Sequence, residues 1–90
     1  MRHERSNFGH TPRVRSTYDS VANAAYVYLV DSVKPGEVAY SRHANIALDQ
    51  AAITVDFDTD GRVLGIELLG ADRLLRSESI EAAQDITRKT

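Results

Sequence analysis

Asp56, Asp58, Asp60, Gly61 and Glu67 stand at the spacing of the D-x-D-x-D-G-x5-E loop, which wraps a calcium ion in carboxylate oxygens. That chemistry needs oxygens converging from a loop held between two helices. Both flanks read here as strands: Ile53, Val55 and Phe57 alternate with Thr54, Asp56 and Asp58, and Val63–Leu69 is a branched, apolar run. Asp60-Gly61 is hairpin chemistry, the glycine accepting a positive φ. The expectation is a β-hairpin with Asp56 and Asp58 on its solvent face. Asp56, Asp58, Asp60 and Glu67 would then bind a divalent ion or small ligand only weakly.

The other candidates are sparser. His43 lies two residues from Ser41 and six from Asp49. Nucleophile, base and orienting acid must meet in space, and a set within one strand segment reads more simply as a polar edge, so an enzyme using His43 with Asp49 or Glu67 has least support. His3, His10 and His43 are too few and too scattered for a metal site, cysteine is absent, and no glycine-rich phosphate loop occurs. No cofactor is expected. Tyr26 and Tyr28 could form a stacking platform for single-stranded nucleic acid, but such a platform needs a basic groove. Residues 16–90 carry seven basic and twelve acidic side chains. Nucleic acid is therefore an unlikely partner, and a protein interface is the expected use of the tyrosines.

The elements that position these residues follow from patterning. Residues 1–12 lack periodicity and read as a basic arm; residues 1–15 hold four arginines against one glutamate. A first strand begins near Arg13. After a turn at Asp19-Ser20, Ala25–Val30 is apolar on both faces, with Ala25, Val27 and Leu29 on one and Tyr26, Tyr28 and Val30 on the other. A strand coated on both sides needs two covers, which makes Tyr26, Tyr28 and Val30 candidate interface residues. Lys34-Pro35-Gly36-Glu37 is a reverse turn. A third strand is expected from about Val38 to Leu48, weakened at Ser41-Arg42-His43, where a bulge would fit. The hairpin supplies strands four and five. Asp72 is expected to cap a turn over Arg73–Arg76, and Ile80, Ala83 and Ile86 fall at helical spacing in a C-terminal segment, residues 77–90, read as a short helix or tail.

Ninety residues with 42% hydrophobic side chains and no cysteine make one small domain with a marginal core and no disulfide. Self-association, most simply as a homodimer, is the expected extra source of stability. No apolar run is long enough to cross a bilayer or to form a secretory h-region, so no membrane role and a cytoplasmic location are expected.

Two segments together resemble a known family. Tyr18-Asp19-Ser20-Val21-Ala22-Asn23-Ala24-Ala25-Tyr26-Val27-Tyr28-Leu29 is similar to the Y-D-x-x-A-D-A-L-Y-I-x-L opening of the YuzE-like family of small uncharacterised bacterial proteins. Val55-Asp56-Phe57-Asp58-Thr59-Asp60-Gly61-Arg62-Val63-Leu64-Gly65-Ile66-Glu67-Leu68-Leu69 resembles its second signature, V-D-Y-D-x-D-G-x-L-V-G-I-E-I-L. Asn23 replaces an aspartate and Ala25 a larger apolar residue. The resemblance covers about residues 14–75 and implies a mainly antiparallel β fold without an agreed activity; toxin-like partners are suspected for such small proteins. Residues 13–76 are thus expected to be a YuzE-like domain of α+β class, predominantly β: a small antiparallel meander of four or five strands with one or two short helices. The expected function is a non-enzymatic, homo-oligomeric binding or partner-regulating module, antitoxin-like in character. The alternative is the weak ion or ligand binder at the acidic hairpin.

Overall fold

A computed structural model describes residues 13–87. The expected basic arm, residues 1–12, lies outside the described residues. Strand β1 (Arg15–Asp19) ends where the Asp19 carboxylate accepts the backbone N–H groups of Val21 and Ala22 at 3.0 and 3.1 Å. Side-chain capping of this kind lets aspartate close a turn that the backbone cannot close alone. Asn23 completes the reversal at φ 52°, a left-handed conformation that asparagine tolerates. Strand β2 (Ala24–Tyr28) then runs back antiparallel to β1.

The Pro-Gly turn forms as expected: Glu37 N–H donates to the Lys34 carbonyl at 3.0 Å, and Gly36 takes φ 80°. Strand β3 corrects the expected strand of residues 38–48, for it spans only Tyr40–His43, the stretch thought weakest. All four residues are exposed at an edge, where apolar alternation carries no signal. Polar pairing across to β4 (Ala52–Phe57) compensates. The bulge lies elsewhere, at Asp56/Phe57 against β5 (Val63–Leu69).

The chain then forms α1 (Ala71–Leu74), α2 (Ser77–Ala82) and β6 (Gln84–Asp85). Asp72 lies inside α1 and does not cap it; Gly70 occupies the cap position at φ 72°. The helical spacing that includes Ile86 is cut short, because Ala83 turns extended and residues 84–85 pair with the open edge of β1. The Ile86 N–H donates to the Tyr18 carbonyl at 2.9 Å.

The result is a six-stranded sheet in the order β3-β4-β5-β2-β1-β6. It corrects the expected antiparallel meander of four or five strands, since β6 runs parallel to β1 and makes the sheet mixed. A parallel partner needs a crossover of a dozen or more residues, which α1 and α2 supply.

Residues paired across neighbouring strands share a face. Tyr18, Ala25, Leu68 and Ile53 therefore share the first face, and Val27, Ile66 and Val55 the adjacent row. Ala71 of α1, with Leu74 and Leu75, packs on this face against Ala25 and Leu68. Ala25 and Ala71 are 3% and 0% exposed, and their small side chains let helix and sheet approach closely. The core is thin: among the described residues, Ala25, Leu64, Leu68 and Ala71 are the buried hydrophobic ones.

Candidate functional site

The second face of the sheet carries the polar residues, in two adjacent rows. One row holds Arg15, Tyr28, Gly65, Asp56 and Ser41, and the next holds Thr17, Tyr26, Glu67, Thr54 and His43. The Tyr26 phenol crosses diagonally from its own row to the other. It passes over Gly65 and donates to Asp56 Oδ2 at 2.7 Å. A Cβ on Gly65 would fall inside the Tyr26 ring, 2.6 Å from its hydroxyl oxygen and 2.7 Å from Cζ. Glycine is thus the residue that opens the path from tyrosine to carboxylate.

Ser41 Oγ donates to the other oxygen of the same carboxylate, Asp56 Oδ1, at 2.6 Å. Asp56 thereby links β2, β3 and β4 through two hydroxyls. Burial of the Tyr26 phenol, its bond to Asp56, and the nearby charges of Asp56, Tyr28 and Glu67 all raise its pKa well above the ordinary value. Tyr26 is therefore a protonated donor at every physiological pH. His43 Nδ1 and Thr54 Oγ1 lie 2.9 Å apart, so the imidazole is engaged by its cross-strand neighbour.

At the other end of the row, the Arg15 guanidinium lies 3.9 Å from the Tyr28 ring centroid and donates through Nη2 to the Asp31 carbonyl at 3.0 Å. Tyr28 in turn meets Tyr26, with ring centroids 4.6 Å apart and planes tilted by 60°. A cation, two aromatic rings and a carboxylate thus follow one another across the face.

The structure separates the residues of the calcium-like string. Asp58 Oδ1 accepts the backbone N–H groups of Asp60 and Arg62, both at 2.9 Å, so this carboxylate builds the hairpin turn. Asp60 is exposed in that turn beside Gly61, whose φ is 78°. Asp56 lies on the face that α1 leaves uncovered, as alternation implied, but it is half-buried there and bonded by two hydroxyls. Glu67 lies in the row between Tyr26 and Thr54. Among the described residues no three His, Cys, Asp or Glu side chains come together in a group able to hold a metal ion.

Ser41 and His43 do share a face, but Ser41 donates to Asp56 and His43 pairs with Thr54. Asp49 lies in the turn before β4. Of the interface candidates, Tyr26 and Tyr28 lie side by side on the second face. Val30 lies beyond the end of β2, in a bend, and does not continue their row. Arg15, Thr54 and Gly65 are site residues the sequence reading missed, and Ser41, weighed there only beside His43, engages Asp56 instead. Gly65, set among branched residues in a strand, was the available signal, because such a glycine marks a close approach.

A protein-family model described as "Protein of unknown function (DUF2283)" matches residues 15–71. The chain belongs to this family. The DUF2283 region runs from the first residue of β1 to the first of α1 and contains every site residue named above; α2 and β6 lie beyond it. No curated protein and no solved structure matches the chain. Among the described residues no helix is long and apolar enough to cross a membrane.

Proposed function

We propose that this DUF2283 protein is a non-enzymatic, homo-oligomeric binding module of the cytoplasm that regulates a protein partner in an antitoxin-like way. On the two quoted segments we place it with the YuzE-like members. One observation carries the reading. Helix α1 packs on the first face of the sheet, whereas the second presents Tyr26 and Tyr28 half-exposed beside Arg15, Asp56 and Glu67. Tyrosine and arginine are the residues that anchor protein interfaces, since each offers a large apolar surface with a polar tip. The thin core argues in the same direction, because a second layer on the sheet adds the burial that a small domain lacks.

The non-enzymatic part of the reading rests on pairing. The Ser41 hydroxyl donates to Asp56, which Tyr26 also engages, and the His43 imidazole pairs with Thr54, so among the described residues Ser41 and His43 are not joined as nucleophile and base. Sedimentation velocity from low to high micromolar concentration tests self-association, and co-purification at moderate salt tests the protein partner. A concentration-dependent dimer together with a stoichiometric partner supports the reading. A monomer throughout, with no partner, overturns it.

A further inference from the structure

The second face is complementary to itself. Taken across the sheet, one row reads cation, large ring, glycine, carboxylate: Arg15 on β1, Tyr28 on β2, Gly65 on β5 and Asp56 on β4. Reversed, it sets carboxylate against cation and glycine against ring. In the neighbouring row Thr17 and Thr54 are buried within one copy and the Tyr26 hydroxyl is spent on Asp56 of its own chain, so the Arg15 row carries the complementarity.

We propose that a second copy of this chain packs face to face on these rows, about a two-fold axis running along the strands between β2 and β5. Each Arg15 then meets Asp56 of the other copy. The proposal rests on the homo-oligomeric reading above and names its face and register.

Three observations favour it. A two-fold interface brings the same patch of each subunit together, so charges must alternate about the axis. Here Arg15 and Asp56 lie three strand spacings apart, roughly 14 Å, and the axis midway between them overlays each on the other. Sheets stacked face to face lie about 10 Å apart, a gap that an arginine and an aspartate side chain span together. The alternative two-fold, across the strands through the Tyr26 row, would oppose Arg15 to Asp19 but would also set Glu67 against Glu67, a like-charge contact that disfavours it.

The guanidinium is already oriented for this role. It lies over Tyr28 and spends one bond on the Asp31 carbonyl, and the remaining donors of its fork are free to reach a carboxylate. The Asp56 carboxylate is held in place by Tyr26 and Ser41, and a carboxylate has room for further donors. Tyr28 of one copy rests against the Tyr26 ring that covers Gly65 of the other. Four strands of five residues make a patch roughly 20 by 17 Å. That is roughly 340 Å² per copy, below the range of stable interfaces, so the dimer is expected to be weak and to form only at high micromolar concentration.

Sedimentation equilibrium of the full chain and its variants tests the register. Arg15→Glu should weaken the dimer at least about tenfold, because it places like charges together twice per dimer. Asp56→Lys added to Arg15→Glu should restore it. Asp19→Lys added to Arg15→Glu should not. A wild-type dimer that Arg15→Glu leaves unchanged, or that Asp19→Lys rescues, overturns the register and leaves the homo-oligomeric reading standing. A wild-type monomer overturns both. Circular dichroism establishes that each variant is folded. If Asp56→Lys is not, the pair Arg15→Gln and Asp56→Asn replaces it, since asparagine still accepts a hydroxyl. Each of these should weaken the dimer, and the two together should cost less than the sum of their separate effects. Additive losses overturn the contact.

Discussion

Gly65→Ala tests the geometry at the centre of the second face. The new methyl would enter the Tyr26 ring, so the ring must rotate away and give up its bond to Asp56. A hydrogen bond to a charged acceptor is worth about 1.5–3 kcal/mol. Overpacking in a fitted site adds about 1 kcal/mol or more, while alanine in a strand recovers about 0.5–1 kcal/mol of the backbone entropy that glycine costs. The net expectation is a loss of about 2–3 kcal/mol in urea unfolding followed by circular dichroism. A second readout isolates the cause. Tyr26 ionises above the ordinary tyrosine range, and once swung into solvent its tyrosinate absorbance should appear at lower pH. Tyr26→Phe should cost less than Gly65→Ala, and the cost of Gly65→Ala should shrink in the Phe background, where no hydroxyl bond remains to lose. A Gly65→Ala protein within about 0.5 kcal/mol of wild type, the range of neutral surface changes, with Tyr26 still titrating high, would refute this account.

Alkaline pH should destabilise the fold through the same residue. The unfolded chain loses the Tyr26 proton near pH 10 while the folded chain keeps it, so the contribution is intact below pH 10 and falls as pH rises beyond it; Tyr26→Phe should lack that part of the fall in a urea series across alkaline pH. Asn23→Ala should cost about 1–2 kcal/mol from its lost side-chain bonds to Asp72, plus about 1 kcal/mol from the left-handed φ. Asn23→Gly should spare only the second part, and thermal melts of the two variants separate them. Asp58→Ala removes the acceptor for two backbone N–H groups and should cost about 1–3 kcal/mol. Calcium at millimolar concentration should shift the melting temperature of neither wild type nor this variant; a calcium-dependent rise lost in Asp58→Ala would show that the hairpin binds the ion.

What could be read in advance was whatever a local pattern encodes. Alternation from Ile53 to Phe57 and the Asp-Gly turn gave the β4–β5 hairpin, and β5 spans the expected Val63–Leu69. Strand β6 is two residues long and has no period to detect; it forms because β1 offers an unpaired edge. The Thr87 hydroxyl fastens it, accepting the Ser20 N–H at 2.8 Å. Ile80, Ala83 and Ile86 kept helical spacing past the point where the helix stops, because pairing with β1 outweighs the helical propensity of one further turn. The Tyr26–Asp56 contact joins residues 30 apart in sequence, and only the register of three strands brings them together. Asn23, read as a departure from an aspartate, turns out to secure α1: its carbonyl accepts the N–H groups of Gly70 and Ala71 at 2.9 and 3.0 Å, and its side chain accepts that of Asp72 at 3.1 Å. These needs can be met by either amide or carboxylate, except that an aspartate here would face the Asp72 carboxylate.

The acidic string illustrates why topology decides what a motif does. Between two helices, residues two apart in the loop would aim their oxygens at one centre. Across a hairpin the same spacing disperses them. Asp56 falls on the sheet face and is drawn to two hydroxyls, while Asp58 falls at the end of the strand and folds back on the turn. Glu67 returns to the Asp56 side of the sheet only because the bulge at Asp56/Phe57 sets the register of the returning strand. The same register lays Gly65 beside Asp56 and beneath Tyr26. A one-residue slip would send Gly65 and Glu67 to the covered face and Ile66 and Leu68 to the tyrosines. The apolar burial on one face is therefore what aligns the polar row on the other, and the charge order offered to a second copy follows from the packing of Leu68 against Ala25 and Ala71.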